Sequence, residues 1–251
     1  MTKIDSNVVR LVRRLVRSLK LGWACLATAL TYVPLFLRGA DAGARARWLQ
    51  AACGRAIRVS NVDVTVTGPI PSAGLLVSNH LSYLDVLVLG AVTAGVFVSK
   101  YEVAHWPIFG WFARLGGTLF LRRERRSDVA RVTDEMRQTL TSGLLLGLFP
   151  EGTSTDGRSL LPFRSSLLEP AVGLDVPVTI AHLRYRLNDI GDVGREVCYS
   201  QDETFAAHAW NLFGKRHIVA EVRFKSISGR ASNRKELART LQAEVANLGK
   251  G

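Results

Sequence analysis

Cysteine is scarce in this chain of 251 residues: three occur, Cys25, Cys53 and Cys198, far apart and with no CxxC pair. That spacing argues against a disulfide framework or a structural zinc site, and suits a reducing compartment. HExxH, a P-loop and GxGxxG are all missing, so neither a metal nor a nucleotide-phosphate loop is expected. Internal repeats, low-complexity segments and long linkers are missing too. With 47% apolar and 22% charged residues the chain is neither disordered nor collagen-like. At this length it buries enough surface to fold without staples.

Acidic residues are lacking at one end. Residues 1–60 hold 11 Lys and Arg against 2 Asp and Glu, a net of +9, while residues 61–251 hold 22 against 19, a net of +3. The overall +12 therefore belongs to the N-terminal segment, and the near-balanced remainder argues against a nucleic-acid binder.

Within that segment Ile4, Val8, Leu11, Val12, Leu15, Val16 and Leu19 fall at helical spacing, with Arg10, Arg13, Arg14, Arg17 and Lys20 mostly opposite. Such a helix fits an anionic membrane surface; the plain alternative is a surface helix packed on the domain. From Leu21 to Leu37 no residue is charged, and Pro34 predicts a bend or stop near the end. These 17 residues are barely enough to span a bilayer. Basic residues flank both sides, Lys3 to Lys20 before and Arg38, Arg45, Arg47, Arg55 and Arg58 after. Both flanks ask for the cytoplasmic face, which favours a monotopic helix pair over a single-pass span. Ala40-Asp41-Ala42 also resembles a signal-peptide cleavage site, although Arg38 stands in between.

The remainder alternates strands and helices. Strands are expected at Val62–Val66, Leu75–Val77, Gly95–Ser99, Thr118–Leu121, Leu144–Phe149, Val178–Ala181 and His217–Phe224. Helices are expected over Asp128–Thr141, with Ser127 as N-cap and Gly143 as C-cap, and over Arg234–Leu248 behind an Asn233–Glu236 capping box. The expected fold is α/β: a mixed, largely parallel central sheet flanked by helices, with an N-terminal membrane-binding helical segment. Residues 1–45 would be the membrane-associating helices and 46–251 the α/β domain.

Three short blocks carry chemistry. Asn79-His80-Leu81-Ser82-Tyr83-Leu84-Asp85 follows a strand, where α/β folds place reactive groups. His80 with Asp85 can form a base and its orienter if Ser82 caps a helix and Asp85 sits in its first turn; equally, Asp85 can merely complete a capping box. Phe149-Pro150-Glu151-Gly152-Thr153 ends another strand in a turn able to expose N–H groups to an anion. Gly117 to Arg122 is a strand ending in an arginine, whose planar fork suits phosphate. Arg122 to Arg126 otherwise reads as a solvated turn, and His105, His182, His208 and His217 as structural histidines.

These blocks resemble a known family. His80 and Asp85 match the HxxxxD motif of the glycerolipid, or 1-acylglycerol-3-phosphate, O-acyltransferases. Gly117–Arg122 looks like their second motif, Phe149–Thr153 their third, and Val176-Pro177-Val178 stands where the fourth belongs. All four occur in family order over roughly residues 60–185. The resemblance implies direct attack of an acceptor hydroxyl on an acyl thioester, with His80 as general base, Asp85 as its orienter and no seryl intermediate; the chain indeed lacks GxSxG. It also implies that Arg122, Glu151, Gly152 and Thr153 bind the acceptor, with Lys100 and Arg164 as further candidates. The co-substrate would be acyl-CoA or acyl carrier protein, with no cofactor. The expected reaction converts lysophosphatidic acid to phosphatidic acid on the cytoplasmic face of the cell membrane. Two departures bear on the head group. Ser154 stands where many members have Arg, and Ser166 where they have Gly. Lyso-ornithine lipid, a lysophospholipid or glycerol-3-phosphate are the alternative acceptors. A non-catalytic lipid-binding protein is the alternative of another class.

Overall fold

The computed structural model describes residues 7–188, 190–199, 203–228 and 233–250. Lys3 and Ile4, which begin the amphipathic pattern, lie outside the described residues. Among those described, seven strands form one sheet in the order β1 (Val62–Thr67), β7 (Ile218–Ile227), β6 (Val178–Leu187), β2 (Gly74–Ser78), β5 (Leu145–Leu148), β3 (Gly95–Lys100), β4 (Leu119–Leu121). Only the β6–β7 pair is antiparallel; all other neighbours run parallel. The sheet is thus mixed and largely parallel, as its unbroken apolar runs imply.

Helices cover both faces, and strand alternation sorts the side chains between them. Leu76, Phe97, Leu145 and Ala181 pack on one side against Ile57 of α2 (Ala42–Ser60), Val88 and Leu89 of α3 (Leu84–Val92) and Leu212 of α7 (Phe205–Gly214). Leu75, Val77, Val96, Leu146 and Ile180 pack on the other against Val132, Met136 and Leu140 of α5 (Arg126–Thr141) and Leu241 and Val245 of α8 (Arg234–Leu248). Two short helices, α4 (Phe109–Leu115) and α6 (Val193–Glu196), and two 3-10 turns, Tyr101–His105 and Ser165–Ala171, complete the chain.

Helix ends follow local chemistry, with exceptions. Asn233 caps α8 by accepting from Lys235 and Glu236 N–H. Asp41 caps α2 by accepting from Ala44 N–H at 2.6 Å, which accounts for the small residues around it. Ser127 does not cap α5: the helix starts two residues earlier, at Arg126 behind Arg125, and Asp128 accepts the Arg122 N–H at 2.9 Å. Ser142, ahead of Gly143 with its φ of 76°, closes that helix.

The N-terminal segment departs most from expectation. It forms one helix, α1 (Asn7–Leu37), unbroken at Pro34, since a proline in the last turn removes a single hydrogen bond. Its arginines do not face outward. Arg13 donates to Gly214 O at 2.5 Å, and Arg17 to Phe213 O, Lys215 O and Arg216 O at 3.0, 2.5 and 3.0 Å. These carbonyls end α7 and lack helical partners, and the negative end of its dipole favours a cation there. Farther along, Trp48 of α2 donates to Thr31 Oγ1 at 3.0 Å and packs edge-on against Tyr32. Both halves of α1 are therefore laid on the domain. Its apolar stripe faces away: Val8 is 70% exposed, Leu19 76%, Trp23 73%, Leu30 63% and Leu37 76%.

Glycine at 147 lets β5 pass under a buried ring. It pairs with Phe97 of β3, and a Cβ there would sit 2.5 Å from that ring. Gly147→Ala is expected to cost about 1–3 kcal/mol by overpacking. Adding Phe97→Leu should restore part of the loss, as read from urea unfolding of the three proteins.

Candidate functional site

The site lies at the C-terminal ends of β2 and β5, adjacent central strands whose following loops are 71 residues apart in the chain. Asn79, the first residue after β2, is buried and clamps the loop to β6. Its side chain donates to Leu183 O at 3.0 Å and accepts from Leu183 N–H at 2.7 Å. His80 then leaves the sheet. Its N–H donates to Glu151 Oε1 at 2.7 Å, and its ring stacks on Phe149 at 4.3 Å.

Asp85 is fully buried at the start of α3. Its Oδ2 accepts from Leu81 N–H at 2.6 Å and Ser82 N–H at 2.9 Å and lies 2.8 Å from His80 Nδ1. Its Oδ1 accepts from Tyr185 Oη at 2.7 Å. Because Oδ2 already serves as an acceptor to two N–H groups, the ring proton sits on Nδ1 and Nε2 keeps its lone pair. Burial first, and then the Asp85 charge, push the Tyr185 phenol well above its usual range, so it stays a donor. Ser82 is not the N-cap expected: α3 begins behind Tyr83 with no side-chain cap, and the Ser82 hydroxyl is buried without a partner. Asp85 gathers the loop N–H groups itself while it also meets the His80 ring.

Glu151 is 2% exposed and bridges two loops, taking His80 N–H on Oε1 and Leu161 N–H at 2.8 Å on Oε2. Burial raises its carboxyl above the ordinary value, and the two N–H donors offset part of this. It orders the site from behind. Gly152 has φ 75°, and a Cβ there would meet Arg123 and Arg164 at 2.8 Å. Arg123 donates to Gly152 O at 3.2 Å and Arg164 to Glu151 O at 3.3 Å. The glycine turn is thus capped by two guanidinium groups. Lys100 stands near them: burial, then the Arg123 and Arg164 charges, lower its ammonium, and Glu102 acts in the opposite sense.

These groups share one cavity of about 820 Å³. Its polar part is lined by His80, Lys100, Glu102, Arg123, Glu124, Gly152, Thr153, Ser154 and Arg164. The cavity is also lined by Leu21, Ala24, Cys25 and Thr28 of α1, Leu49, Ala52, Cys53 and Arg55 of α2, Val86 and Leu87 of α3, and Phe109 and Phe112 of α4. The volume suits a ligand with a long hydrocarbon and a charged end.

Of the sequence candidates, His80, Asp85, Glu151, Gly152, Thr153, Lys100 and Arg164 come together here. Arg122 does not line the cavity. Its guanidinium lies 3.3 Å over the Tyr101 ring, and its neighbour Arg123, read as part of a solvated turn, takes the inward place. Alternation carries on past the end of β4: Leu121 and Arg123 line the cavity, and Arg122 between them turns to the other side. Asn79 and Tyr185 were also missed. Asn79 adjoins the motif, whereas nothing local marks Tyr185, 100 residues from its partner. His208 is buried between Tyr83 Oη at 3.0 Å and Cys198 O at 3.2 Å, and burial lowers its imidazole. Among the described residues no three His, Cys, Asp or Glu gather as a metal would require.

Comparison with known proteins agrees with this geometry. Residues 60–181 match the acyltransferase family. The chain is 35% identical over 185 residues to the lyso-ornithine lipid O-acyltransferase of Pseudomonas aeruginosa, covering 73% of this chain and 70% of that one. It is 28% identical over 203 residues to a 1-acyl-sn-glycerol-3-phosphate acyltransferase of Neisseria gonorrhoeae, covering 78% and 79%. Its fold superimposes on the crystal structure of the lysophosphatidic acid acyltransferase from Thermotoga maritima with a TM-score of 0.66 at 20% identity, over 96% and 95% of the two chains.

Asp85→Ala strands two buried loop N–H groups and the Tyr185 hydroxyl. The expected loss is about 2–6 kcal/mol for the two N–H groups alone. Tyr185→Phe removes one donor from Asp85 and should cost about 1–3 kcal/mol. Equilibrium urea unfolding of both variants checks the order.

Proposed function

This chain belongs to the glycerolipid acyltransferase family, and from that premise we propose that it moves a fatty acyl group from a thioester donor to the free hydroxyl of a lyso-ornithine lipid. His80 Nε2 takes the hydroxyl proton as the oxygen attacks the thioester carbonyl. Asp85 holds the ring and balances the imidazolium. The tetrahedral intermediate collapses by breaking the C–S bond, and the leaving sulfur receives the proton from His80. The donor is acyl-CoA or acyl carrier protein.

What supports this acceptor is the charge pattern beside His80. Lys100, Arg123 and Arg164 are joined in the cavity lining by Glu102 and Glu124. An ornithine head group offers a carboxylate to the cations and an ammonium to the carboxylates. The relative named for that substrate is also the more similar in sequence of the two compared. Ser154, where a further arginine was looked for, turns its hydroxyl to Tyr199 O at 2.5 Å and adds no charge. Lysophosphatidic acid is the second reading, favoured by the arginine pair over Gly152, a geometry suited to phosphate.

The membrane reading rests on α1. By length and composition it could cross a bilayer. With both halves fastened to the domain and its apolar stripe outward, it instead suits lying in the interface with that stripe buried in one leaflet. The thioester donors are made inside the cell, so the cytoplasmic face is the one engaged.

Purified protein is to be assayed with lyso-ornithine lipid, lysophosphatidic acid, glycerol-3-phosphate and lysophospholipids, each with acyl-CoA and acyl carrier protein donors. The expected preference is lyso-ornithine lipid; preference for lysophosphatidic acid replaces the first reading by the second. His80→Ala is expected to lower transfer by about 10²–10⁴ with the fold retained, and equal activity would remove His80 from the mechanism. Leu19→Lys with Trp23→Lys should abolish flotation with anionic vesicles without lowering the melting temperature, since both side chains point away from the domain.

A further inference from the structure

A strained turn stands beside the cavity. Pro107, Ile108 and Phe109 form a γ-turn closed by Phe109 N–H donating to Pro107 O at 2.7 Å. Ile108 at its centre has φ 65° and ψ −59°. That conformation is rare for any residue and an outlier for a β-branched one. Among the described residues only one other non-glycine has positive φ, Asn61, at a helix C-cap where asparagine is favoured. The turn is held from both sides. Pro107 fixes its own φ, and Gly110 approaches Val103 O and Ala104 O so closely that a Cβ would overlap them. Strain of this kind persists only where the surroundings impose it, and it concentrates at functional sites.

The strain serves no core packing, because Ile108 is 51% exposed. What the turn does is hold an aliphatic side chain outward. Trp111 nearby is 49% exposed, and no Lys, Arg, Asp or Glu occurs from Val103 to Ala113. Ile108 and Phe109 line the same cavity as Leu21, Ala24 and Cys25 of α1. The cavity is therefore walled in part by the helix whose outer stripe is apolar and in part by this turn. Tryptophan beside an apolar tip suits the level of lipid head groups.

We infer that the Pro107–Phe109 turn, with Trp111, inserts among the acyl chains of the bilayer as the second lip of a lateral portal. Through it the hydrocarbon of a lyso-lipid passes from the leaflet into the cavity. This rests on the membrane reading of α1 and extends it to a separate element of the chain.

The test places an environment-sensitive fluorophore on a single cysteine of the full chain, in a Cys25→Ser background where Cys53 and Cys198 are buried. The labelled variants are Ile108→Cys, Leu19→Cys on the α1 stripe, and Ile70→Cys. Ile70 is 53% exposed between β1 and β2, at the end of the sheet opposite His80. On adding vesicles of phosphatidylglycerol and phosphatidylethanolamine, emission should shift to the blue at 108 and 19 and not at 70. A shift at 19 without one at 108 overturns the portal and leaves the α1 reading standing. No shift at either overturns both, and equal shifts at all three show unspecific association and overturn the portal. Independently, Ile108→Asn should lower vesicle partitioning about tenfold without lowering the melting temperature. Unchanged partitioning, or a marked drop in melting temperature that places the side chain in the core, overturns the proposal.

Discussion

One buried carboxylate organises the site. Asp85 has no solvent contact, so its oxygens must find donors within the protein, and four converge on it: two loop N–H groups, a tyrosine hydroxyl and the His80 ring. Those bonds fix the path of the loop between β2 and α3, and the loop's path aims His80. The ring is further pinned by stacking on Phe149, and its backbone N–H is held by Glu151 from the neighbouring strand end. Orientation of the His80 ring is thus a consequence of satisfying a buried charge. The same arrangement links Tyr185, near the C-terminal end of β6, through Asp85 to a histidine it does not touch.

Around that centre charged and aliphatic side chains line one cavity. Lys100, Arg123 and Arg164 sit where the strand ends open, two of them capping a glycine turn that admits no side chain. The rest of the cavity is walled by helices, α1 and α2 among them. The His80 ring, the three cations and many aliphatic side chains thus line one and the same cavity.

The N-terminal helix inverts the usual arrangement of a surface helix. Its polar face packs inward because the carbonyls ending α7 need donors, and Arg13 and Arg17 supply them. Its apolar face is left outward because the domain already has a complete core on both sides of the sheet. Arg45 is likewise turned to the domain, bonding Leu115 O at 2.7 Å. Part of the net positive charge of this segment therefore works in docking the helix, and the apolar stripe is what remains exposed.

The sequence alone determined the α/β class, five of the seven strands to within one residue, the cap of α8, and the His80, Asp85 and Glu151 set. These follow from short-range signals: unbroken apolar runs for strands buried on both faces, a capping residue beside the helix it caps, and reactive residues packed into short motifs. Tertiary structure alone decided the rest. β6 runs on well past Ala181 because β7 pairs antiparallel with it along ten residues, a pairing no local pattern announces. Arg122 lies over the Tyr101 ring, a partner from another segment, while Arg123 lines the cavity on the side of Leu121. Tyr185 reaches Asp85 only because β6 lies beside β2. Which face of α1 turned outward was settled by the open carbonyls of a helix almost 200 residues away. Hydrophobic periodicity reports that two faces differ; it takes the partner surface to say which of them is buried.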